Sequence, residues 1–410
     1  MNVERRRELL DLFSVALAAV NGRERVRRRL EARPLAGPVS LIAVGKAACA
    51  MARGAHDALG EQIVVGLVVT KYGHAEALPW PVHEAGHPLP DEQSLEAGAE
   101  LTDFIADIPA EHAVLMLLSG GASSLIERLP PGITLTDLRA VNRWLLASGL
   151  DIECCNRVRR RLSMLKGGRL AMTLAPRALT CLALSDVRGD APHIIGSGPV
   201  TAAPDETYDG DDELPEFIKQ LLRHEPAAPP ADAPCFLGVS YEIVARLADA
   251  KCAAAERAEG LGYRVRLHEE FIRGDAIAVG KELAARIEAG APGTLHIWGG
   301  ETTLRLPHEP GRGGRNQSLA LAAALAFQGN SDVALLAAGT DGSDGPTLDA
   351  GALVDGGTVA RGVLAGLEAE AALARADAGS FLEGSGDLVH TGPTGTNVMD
   401  IMLGVRHAHL

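Results

Sequence analysis

Hydrophobic positions in this chain form two kinds of segment that alternate along most of its length. Short apolar runs rich in β-branched residues are typical of buried strands, and longer stretches rich in alanine and leucine are typical of helices. The short runs predict strands at residues 39–44, 64–70, 114–118, 179–184, 235–239, 264–267, 295–298, 333–338 and 351–355. Helices are predicted at residues 4–32 (one or two), 138–146, 241–260, 276–289, 318–327 and 358–367. This alternation predicts an α/β fold with mainly parallel sheets.

The length of the chain and one change in composition predict two domains. A chain of 410 residues exceeds the roughly 250–300 residues at which a single hydrophobic core stops growing. Residues 202–234 are rich in proline, aspartate and glutamate, which is typical of a linker. We therefore expect α/β domains at residues 1–230 and 231–410, with a cleft between them.

Glycine clusters follow most of the predicted strands. Gly45-Lys46 separates the strand at 39–44 from an alanine-rich helix. Ligands of open α/β sheets bind beyond the carboxyl ends of the strands, and a helix N-terminus there offers N–H donors to an anion. Lys46 is thus a candidate for binding phosphate or carboxylate, although a solvated lysine would give the same pattern. The P-loop motif G-x-x-x-x-G-K-[ST] does not occur.

The strand at 114–118 ends in a second turn of this kind, which carries both glycines and hydroxyls. Hydroxyl groups and exposed N–H groups suit phosphoryl oxygens, although a serine-rich turn with a helix cap is the alternative. The candidate phosphate-binding residues of this turn are Ser119, Gly120, Gly121, Ser123 and Ser124.

Residues 156–169 form the most basic stretch of the chain. Its cations cannot all lie on one side of a helix, so part of the stretch is a solvated surface. One or two of Asn156, Arg160 and Lys166 are expected to contact a ligand, with Lys166 the candidate because glycines follow it.

The strand at 179–184 is followed by two carboxylates, Asp186 and Asp190. Two carboxylates on a loop after a strand suit Mg²⁺ that keeps several of its waters. Asx turns that only stabilise the loop are the alternative.

The second half of the chain repeats the pattern around residues 295–321. The strand ends in glycines, Glu301 follows, and a glycine-rich turn places Arg315 and Asn316 at the start of a helix. A guanidinium at that position can form paired hydrogen bonds to phosphate or carboxylate. Further loops of small polar residues after the strand at 333–338 and near the end of the chain add the candidates Asp341, Thr394 and Asn397.

Composition narrows the class of partner. The net charge is −14 and aromatic residues make up 3% of the chain, which argues against a nucleic-acid surface or an anionic membrane surface. The six cysteines contain no C-x-x-C pair and are expected to be reduced and buried. The N-terminal segment reads as a surface helix rather than a signal peptide, so a cytoplasmic protein is expected.

Taken jointly, these motifs resemble the glycerate 2-kinase family, whose members phosphorylate D-glycerate with ATP and are often named hydroxypyruvate reductases. One departure is Ala122, where the family has a third glycine. The resemblance implies a Rossmann-like N-terminal domain, a C-terminal domain of the MOFRL type and an active site in the cleft. The matching runs are 44–48, 86–88, 118–125, 166–171, 185–187, 299–303, 313–317, 339–342 and 394–397.

The resemblance implies transfer of the ATP γ-phosphoryl group to the 2-hydroxyl of D-glycerate, with Mg²⁺. Lys46 and Arg315 are then the key cations, which stabilise the transferring group or hold the glycerate carboxylate. Asp186 or Asp190 would bind Mg²⁺ or accept the hydroxyl proton, and the two roles stay open. ATP and D-glycerate are the expected partners, without nucleic acid or membrane, and a homodimer stays open.

Two other functions are weighed against the kinase. A nicotinamide-dependent hydroxypyruvate reductase would need a dinucleotide site, but no complete G-x-G-x-x-G occurs, and His87 is the one fair candidate for its acid. A metabolite sensor without turnover would bind the same ligands, but the chain shows nothing that resembles a signalling module.

Overall fold

The computed structural model describes residues 3–148, 150, 152–204 and 214–408. Within these residues no helix is both long enough and apolar enough to span a membrane. The α-helices are α1 (Val3–Ala19), α2 (Gly22–Ala32), α3 (Ala48–Leu59), α4 (Glu92–Asp107), α5 (Ala122–Leu125), α6 (Leu135–Ser148), α7 (Ile152–Arg161), α8 (Arg169–Leu174), α9 (Glu216–Leu222), α10 (Leu247–Gly260), α11 (Ala276–Ala289), α12 (Arg315–Ala326), α13 (Thr358–Leu364), α14 (Ala369–Ala374) and α15 (Ala378–Ser385).

The strands form two six-stranded sheets. They are β1 (Val39–Val44), β2 (Ile63–Lys71), β3 (Val82–Ala85), β4 (Ala113–Leu118), β5 (Leu179–Leu184), β6 (Val239–Ala245), β7 (Arg264–Ile272), β8 (Thr294–Gly300), β9 (Val333–Gly339), β10 (Gly351–Asp355), β11 (Leu388–Val389) and β12 (Asp400–Arg406).

One compact unit comprises residues Gly22–Ala245. Its sheet has the order β3-β2-β1-β4-β5-β6, and every strand pair is parallel. The central strands are almost entirely apolar because helices cover both faces of such a sheet. All six residues of β1 are buried. This is the Rossmann order, and it places β1 and β4 on either side of the point where the chain reverses its direction across the sheet.

The other compact unit comprises Arg246–Leu410 together with Met1–Asn21. Its sheet has the order β11-β10-β9-β12-β8-β7. Here β7 and β8 pair in parallel, and the other pairs are antiparallel. Two α/β folds are thus confirmed, but the expectation of a mainly parallel sheet is wrong for this unit. There are two reasons: β12 returns from the end of the chain and lies between β8 and β9 in the opposite direction, and β10 turns back along the other side of β9.

Each unit has its own hydrophobic core. In the unit 22–245, apolar residues of β1, β4 and β5 pack against α4, α5 and α8. In the second unit, α11 and α12 pack against the face of the sheet that carries Trp298 and Met402, both fully buried. Gly280 lets these two helices approach closely, because a Cβ added there would lie 2.2 Å from the carbonyl oxygen of Leu319.

The division of the chain differs in two respects from the expected boundary at residue 230. Strand β6 pairs with β5 and completes the first sheet, so that unit extends to Ala245. Helix α1 packs against α10 in the second unit, where Arg257 Nε donates to Asp11 Oδ2 at 2.8 Å. The expected linker at 202–234 falls partly on residues 205–213, outside the described residues, and includes helix α9.

Candidate active site

The point where β1 and β4 diverge carries the first group of predicted site residues. After β1, the N–H of Lys46 donates to the carbonyl oxygen of Gly120 at 2.9 Å. The N–H of Ala47 donates to Ser119 Oγ at 3.1 Å. The two strand ends can approach this closely because Gly45 has φ +134° and no side chain; a Cβ there would lie 2.1 Å from Ser119 Oγ. The glycine turns after β1 and β4 therefore form one continuous loop structure.

The hydroxyls of the 119–124 turn have different partners. Ser119 is fully buried, and its oxygen joins the two strand ends, so its side chain has a structural contact in this unit. Ser124 Oγ donates to the carbonyl oxygen of Gly121 at 3.1 Å. Ser123 Oγ lies 2.8 Å from Ser197 Oγ. Gly121 adopts φ +87° and begins α5, where a Cβ would lie 2.9 Å from His87 Cδ2 and 3.3 Å from Lys46 Cγ.

A cavity of about 170 Å³ opens beside Gly121, entirely within the unit 22–245. The ammonium group of Lys166 lies in its wall and forms an ion pair with Glu127, and both side chains are almost completely buried. Ser163 Oγ also donates to Glu127, at 2.5 Å. The predicted ligand cation Lys166 is therefore neutralised by a carboxylate in this structure. The lining residues are His87, Pro88, Leu89, Pro90, Gly121, Ser123, Ser124, Glu127, Leu138, Asn142, Arg159 and Lys166.

The Asp186–Asp190 loop follows β5, the neighbour of β4, and therefore lies at the same carboxyl edge of the sheet. Asp190 adopts φ +54°, and its N–H donates to the carbonyl oxygen of Val187 at 3.3 Å. No three His, Cys, Asp or Glu side chains of the described residues are grouped to hold a metal ion. One or two carboxylates from this loop would still fit Mg²⁺ in the form it usually takes, shared between few protein ligands and substrate phosphates.

The second unit has its own polar edge, where β8 and β9 end and β12 begins. Asp400, the first residue of β12, pairs with Gly300 of β8 and with Gly339 of β9. The antiparallel direction of β12 thus places its start beside the two strand ends, after which Glu301 and Asp341 follow. Candidates that lie up to about a hundred residues apart in the chain meet at this one edge.

Arg315, the first residue of α12, is held by two carboxylates at this edge. Its Nη1 donates to Glu301 Oε1 at 2.5 Å, and its Nη2 lies 3.4 Å from Asp400 Oδ2. Burial alone would lower the pKa of Arg315, but Asp400 and Glu301 outweigh burial and raise this pKa above the usual arginine value. The guanidinium is therefore charged at every physiological pH.

The beginning of α12 is capped by a buried aspartate. Asp344 accepts hydrogen bonds from the N–H groups of Asn316 at 3.1 Å and Gln317 at 2.8 Å. Burial raises the pKa of Asp344 to about 7, although these N–H donors oppose that shift. Burial also raises the pKa of Asp400 to about 6, against the lowering effect of Arg315. A protein carboxylate therefore occupies the helix N-terminus that we expected to bind an anion, while the Asn316 side chain remains buried beside it.

The remaining candidates of the second unit lie in loops tied to the ends of β9 and β12. Thr394 Oγ1 donates to the carbonyl oxygen of Thr340 at 2.5 Å. Asp341 Oδ1 accepts hydrogen bonds from the N–H and hydroxyl of Ser343 at 2.9 and 3.1 Å. Asn397 is buried. These contacts fix the loops, and they leave the predicted ligand roles of Asp341, Thr394 and Asn397 as predictions.

The predicted residues thus form two groups, one in each unit. Lys46, the 119–124 turn, Lys166 and the Asp186–Asp190 loop lie at the carboxyl edge of the first sheet or in the adjoining cavity. Sequence reasoning missed three acidic partners of these groups: Glu127, Asp344 and Asp400. No local spacing signals them, because Asp344 caps a helix that begins 29 residues earlier in the chain, and the other two are likewise revealed only by long-range contacts.

The geometry defines a class of protein: a Rossmann-type unit with a lysine-bearing glycine turn, joined to a mixed α/β unit with an arginine at a helix start. The chain belongs to the glycerate 2-kinase family. Residues 8–218 match the family described as "Domain of unknown function (DUF4147)", and residues 294–400 match the MOFRL family.

Relatives resemble the chain over nearly its full length. A D-glycerate 2-kinase of Thermotoga maritima is 37% identical, over 90% of this chain and 90% of its own. A provisionally named hydroxypyruvate reductase of Agrobacterium vitis is 36% identical, over 98% of this chain and 94% of its own. The crystal structure of the Thermotoga maritima glycerate kinase superimposes with a TM-score of 0.84 at 34% identity, covering 99% of this chain and 100% of that one. The expectation of a glycerate-kinase relationship is confirmed.

Proposed function

We propose that this protein is an ATP-dependent glycerate 2-kinase, which transfers the γ-phosphoryl group of ATP to the 2-hydroxyl of D-glycerate. The observation that carries the proposal is the 37% identity to a D-glycerate 2-kinase across 90% of both chains. An alignment that covers 90% of the chain spans both units and the loops at their polar edges. The expected location is the cytoplasm, where ATP is supplied.

In the first unit, the turns after β1 and β4 are proposed to bind phosphate. They lie at the reversal point of a parallel sheet, where such folds bind their ligands. The hydrogen bond to Gly120 fixes the backbone of Lys46. The Cα atom from which the lysine side chain extends is therefore held in a defined position. Its ammonium would stabilise the negative charge on the transferring phosphoryl group, which is the main requirement of this chemistry.

In the second unit, Arg315 is the proposed second cation. Of its two carboxylate partners, Asp400 is buried and fixed, whereas the Glu301 side chain is about half exposed, at 48%. An incoming phosphate or carboxylate would therefore replace Glu301 and leave the pair with Asp400 intact. Asp400 then orients the guanidinium, and Glu301 occupies the position that we assign to the ligand.

Mg²⁺ would neutralise phosphate charge when bound. Asp186 and Asp190 are proposed to hold it or to accept the proton of the glycerate 2-hydroxyl. Both lie on the loop after β5 at the carboxyl edge of the sheet. A substitution of each to asparagine separates the two roles: loss of the metal ligand raises the Mg²⁺ concentration needed for half-maximal rate, whereas loss of the base lowers kcat at saturating Mg²⁺.

The test is a substrate panel with two detectors. ADP formation is measured with ATP, Mg²⁺ and each of D-glycerate, L-glycerate, glycolate and D-lactate, and the same preparation is given hydroxypyruvate with NADH or NADPH. The kinase proposal expects ADP formation that depends on D-glycerate and no nicotinamide oxidation. Two relatives carry a provisional reductase name, so the alternative result is nicotinamide oxidation without ADP formation, and that result would overturn the proposal. Light scattering on the same preparation determines whether the protein is a monomer or a homodimer, which the sequence left open.

A further inference from the structure

Two cations line the cavity beside Gly121, and their surroundings differ. The ammonium of Lys166 is paired with Glu127. Among the described side chains, the guanidinium of Arg159 has neutral partners instead: Nε donates to Asn142 Oδ1 at 2.9 Å, and Nη1 donates to Asn156 Oδ1 at 3.3 Å. No carboxylate of the described residues lies within ion-pair distance of Arg159. The cavity wall therefore contains two cations: Lys166, whose charge is neutralised by Glu127, and Arg159, whose charge is not neutralised by any described carboxylate.

Such a pattern has a physical cost. Arg159 is partly buried, and a cation that is partly withdrawn from water and left without an anion is unfavourable, so such charges in proteins are normally paired. Burial lowers the pKa of Arg159 below the usual arginine value, and Cys155 opposes this shift without reversing it. Two amide oxygens instead fix the guanidinium in one orientation. The arrangement is that of a preformed receptor for an anion rather than of a structural ion pair.

Other arginines of the same basic stretch show the contrast. Arg161 Nε donates to Glu225 Oε2 at 2.6 Å on the surface of the unit. Arg169 donates to the carbonyl oxygens of Arg160, Lys166, Pro226 and Ala227. These two side chains stabilise the fold. Arg159 differs from these two arginines in its place in the cavity wall and in having no acidic partner among the described side chains.

The size and lining of the cavity restrict the anion. Its volume of about 170 Å³ is below the roughly 300–1,000 Å³ of pockets for drug-sized ligands. Its wall carries the hydroxyls of Ser123 and Ser124 and the amide of Asn142, all of which can bond to alcohol groups. Gly121 separates the cavity from Lys46, whose Cγ would lie 3.3 Å from a Cβ added at Gly121. A small hydroxy acid therefore fits, with its hydroxyl end toward Lys46.

We propose that this cavity is the hydroxy-acid subsite and that Arg159, held by Asn142 and Asn156, binds the carboxylate of the acceptor. The inference rests on the proposed kinase function and extends it. The 2-hydroxyl then lies toward Gly121 and Lys46, on the side where phosphoryl transfer is proposed. Specificity for acids over neutral polyols follows, because a neutral ligand leaves the Arg159 charge unpaired.

The test compares Arg159→Met with Arg143→Met, a control on the exposed surface of α6. For Arg159→Met, KM for D-glycerate is expected to rise at least about thirtyfold, while KM for ATP stays within about twofold. Arg143→Met is expected to keep both constants. A rise in KM for ATP instead would assign Arg159 to the nucleotide and overturn the proposal, as would an unchanged KM for D-glycerate.

A second measurement separates binding from folding and from turnover. D-glycerate alone is expected to raise the melting temperature of the wild-type protein and of Arg143→Met, but not that of Arg159→Met, whose own melting temperature should stay close to that of the wild type. Glyceramide, in which an amide replaces the carboxylate, should be a poorer substrate than glycerate for the wild type. That preference should nearly vanish in Arg159→Met, and a preserved preference would contradict the inference.

The two proposals fail in distinguishable ways. A wild-type protein that forms no ADP with D-glycerate contradicts the kinase function itself. A wild-type protein that phosphorylates D-glycerate, together with an Arg159→Met variant of unchanged KM and unchanged thermal response, refutes only the subsite.

Discussion

Replacement of Gly121 by alanine should damage activity far more than stability. Gly121 has φ +87°, and a Cβ there would lie 2.9 Å from His87 Cδ2 and 3.3 Å from Lys46 Cγ. A left-handed backbone costs an L-residue about 1–2 kcal/mol. The new methyl group must also displace the His87 ring or the root of the Lys46 side chain. Because a shift of about 1 Å in a catalytic group can lower the rate roughly a hundredfold, kcat/KM for D-glycerate should fall at least about thirtyfold.

Gly37→Ala is a matched control in the same unit. Gly37 also has a left-handed backbone, with φ +71°, but a Cβ there would meet nothing within 4 Å. It precedes β1, at the edge of the sheet opposite Lys46. Gly37→Ala should therefore lose about 1–2 kcal/mol of stability, and Gly121→Ala that amount plus the smaller cost of moving a side chain; each kcal/mol lowers the melting temperature by roughly 2–4 °C in a unit of this size. Only Gly121→Ala should lose activity.

The assay is steady-state ADP formation per mole of folded protein, with folding followed by circular dichroism during heating. Equal activity losses in the two variants would refute the reasoning, because the loss would then stem from backbone strain alone. Full activity in Gly121→Ala would also refute it, because Lys46 and His87 would then not be positioned by contact with this glycine.

Three further predictions concern the charged groups. Lys46→Met should lower kcat at least about a hundredfold, roughly 2.7 kcal/mol, without loss of stability, because the contacts that fix its backbone remain. Arg315→Met should lower kcat by a similar factor, since a transition-state cation is lost. Asp400→Asn should gain stability relative to the wild type as pH rises from 4 to above 6. The pKa of Asp400 is raised from 3.8 to about 6. Between these two pH values the folded wild-type protein keeps a proton that the unfolded chain has released, so the free energy of unfolding of the wild type falls by up to about 3 kcal/mol as pH rises. Asparagine does not titrate, and the variant avoids this loss.

Control variants exist for the two cation replacements. Lys281→Met and Arg375→Met remove exposed cations of the second unit, and both should retain the wild-type kcat. A Lys46→Met or Arg315→Met variant with kcat within about threefold of the wild type would remove that residue from the mechanism. For Asp400→Asn, urea unfolding at pH 4, 5, 6 and 7 measures the stability, and a difference from the wild type that does not change with pH would contradict a raised pKa.

Local sequence patterns predicted most of the framework. Strand β1, strand β10 and helix α11 have the bounds that were expected from sequence, because an apolar run or an amphipathic repeat ends there at a glycine, proline or charged residue. The prediction was wrong at residues 241–245, expected to be helical and found in strand β6. The alanine-rich sequence of α10 extends the helical pattern backwards, and the half-buried edge strand lacks a strong apolar run.

Long-range contacts explain what the sequence could not predict. The strand at the end of the chain was not recognised, so neither the mixed second sheet nor the place of Asp400 beside Arg315 could be inferred. Arg159 was treated as one of several interchangeable cations in a basic stretch. Only the packing of α6 against α7 distinguishes it, because Asn142 on the first helix and Asn156 on the second hold it in a cavity wall where no described carboxylate pairs with its charge.

Phosphorus NMR of the reaction products tests the central claim most directly. The protein is incubated with ATP, Mg²⁺ and D-glycerate, and the new phosphate ester is examined with proton coupling. A phosphate on C2 couples to the single methine proton and gives a doublet, whereas a phosphate on C3 couples to the methylene protons and gives a triplet. We predict a doublet that grows together with ADP and depends on Lys46. A triplet, or no ester at all from a folded protein, would contradict the account.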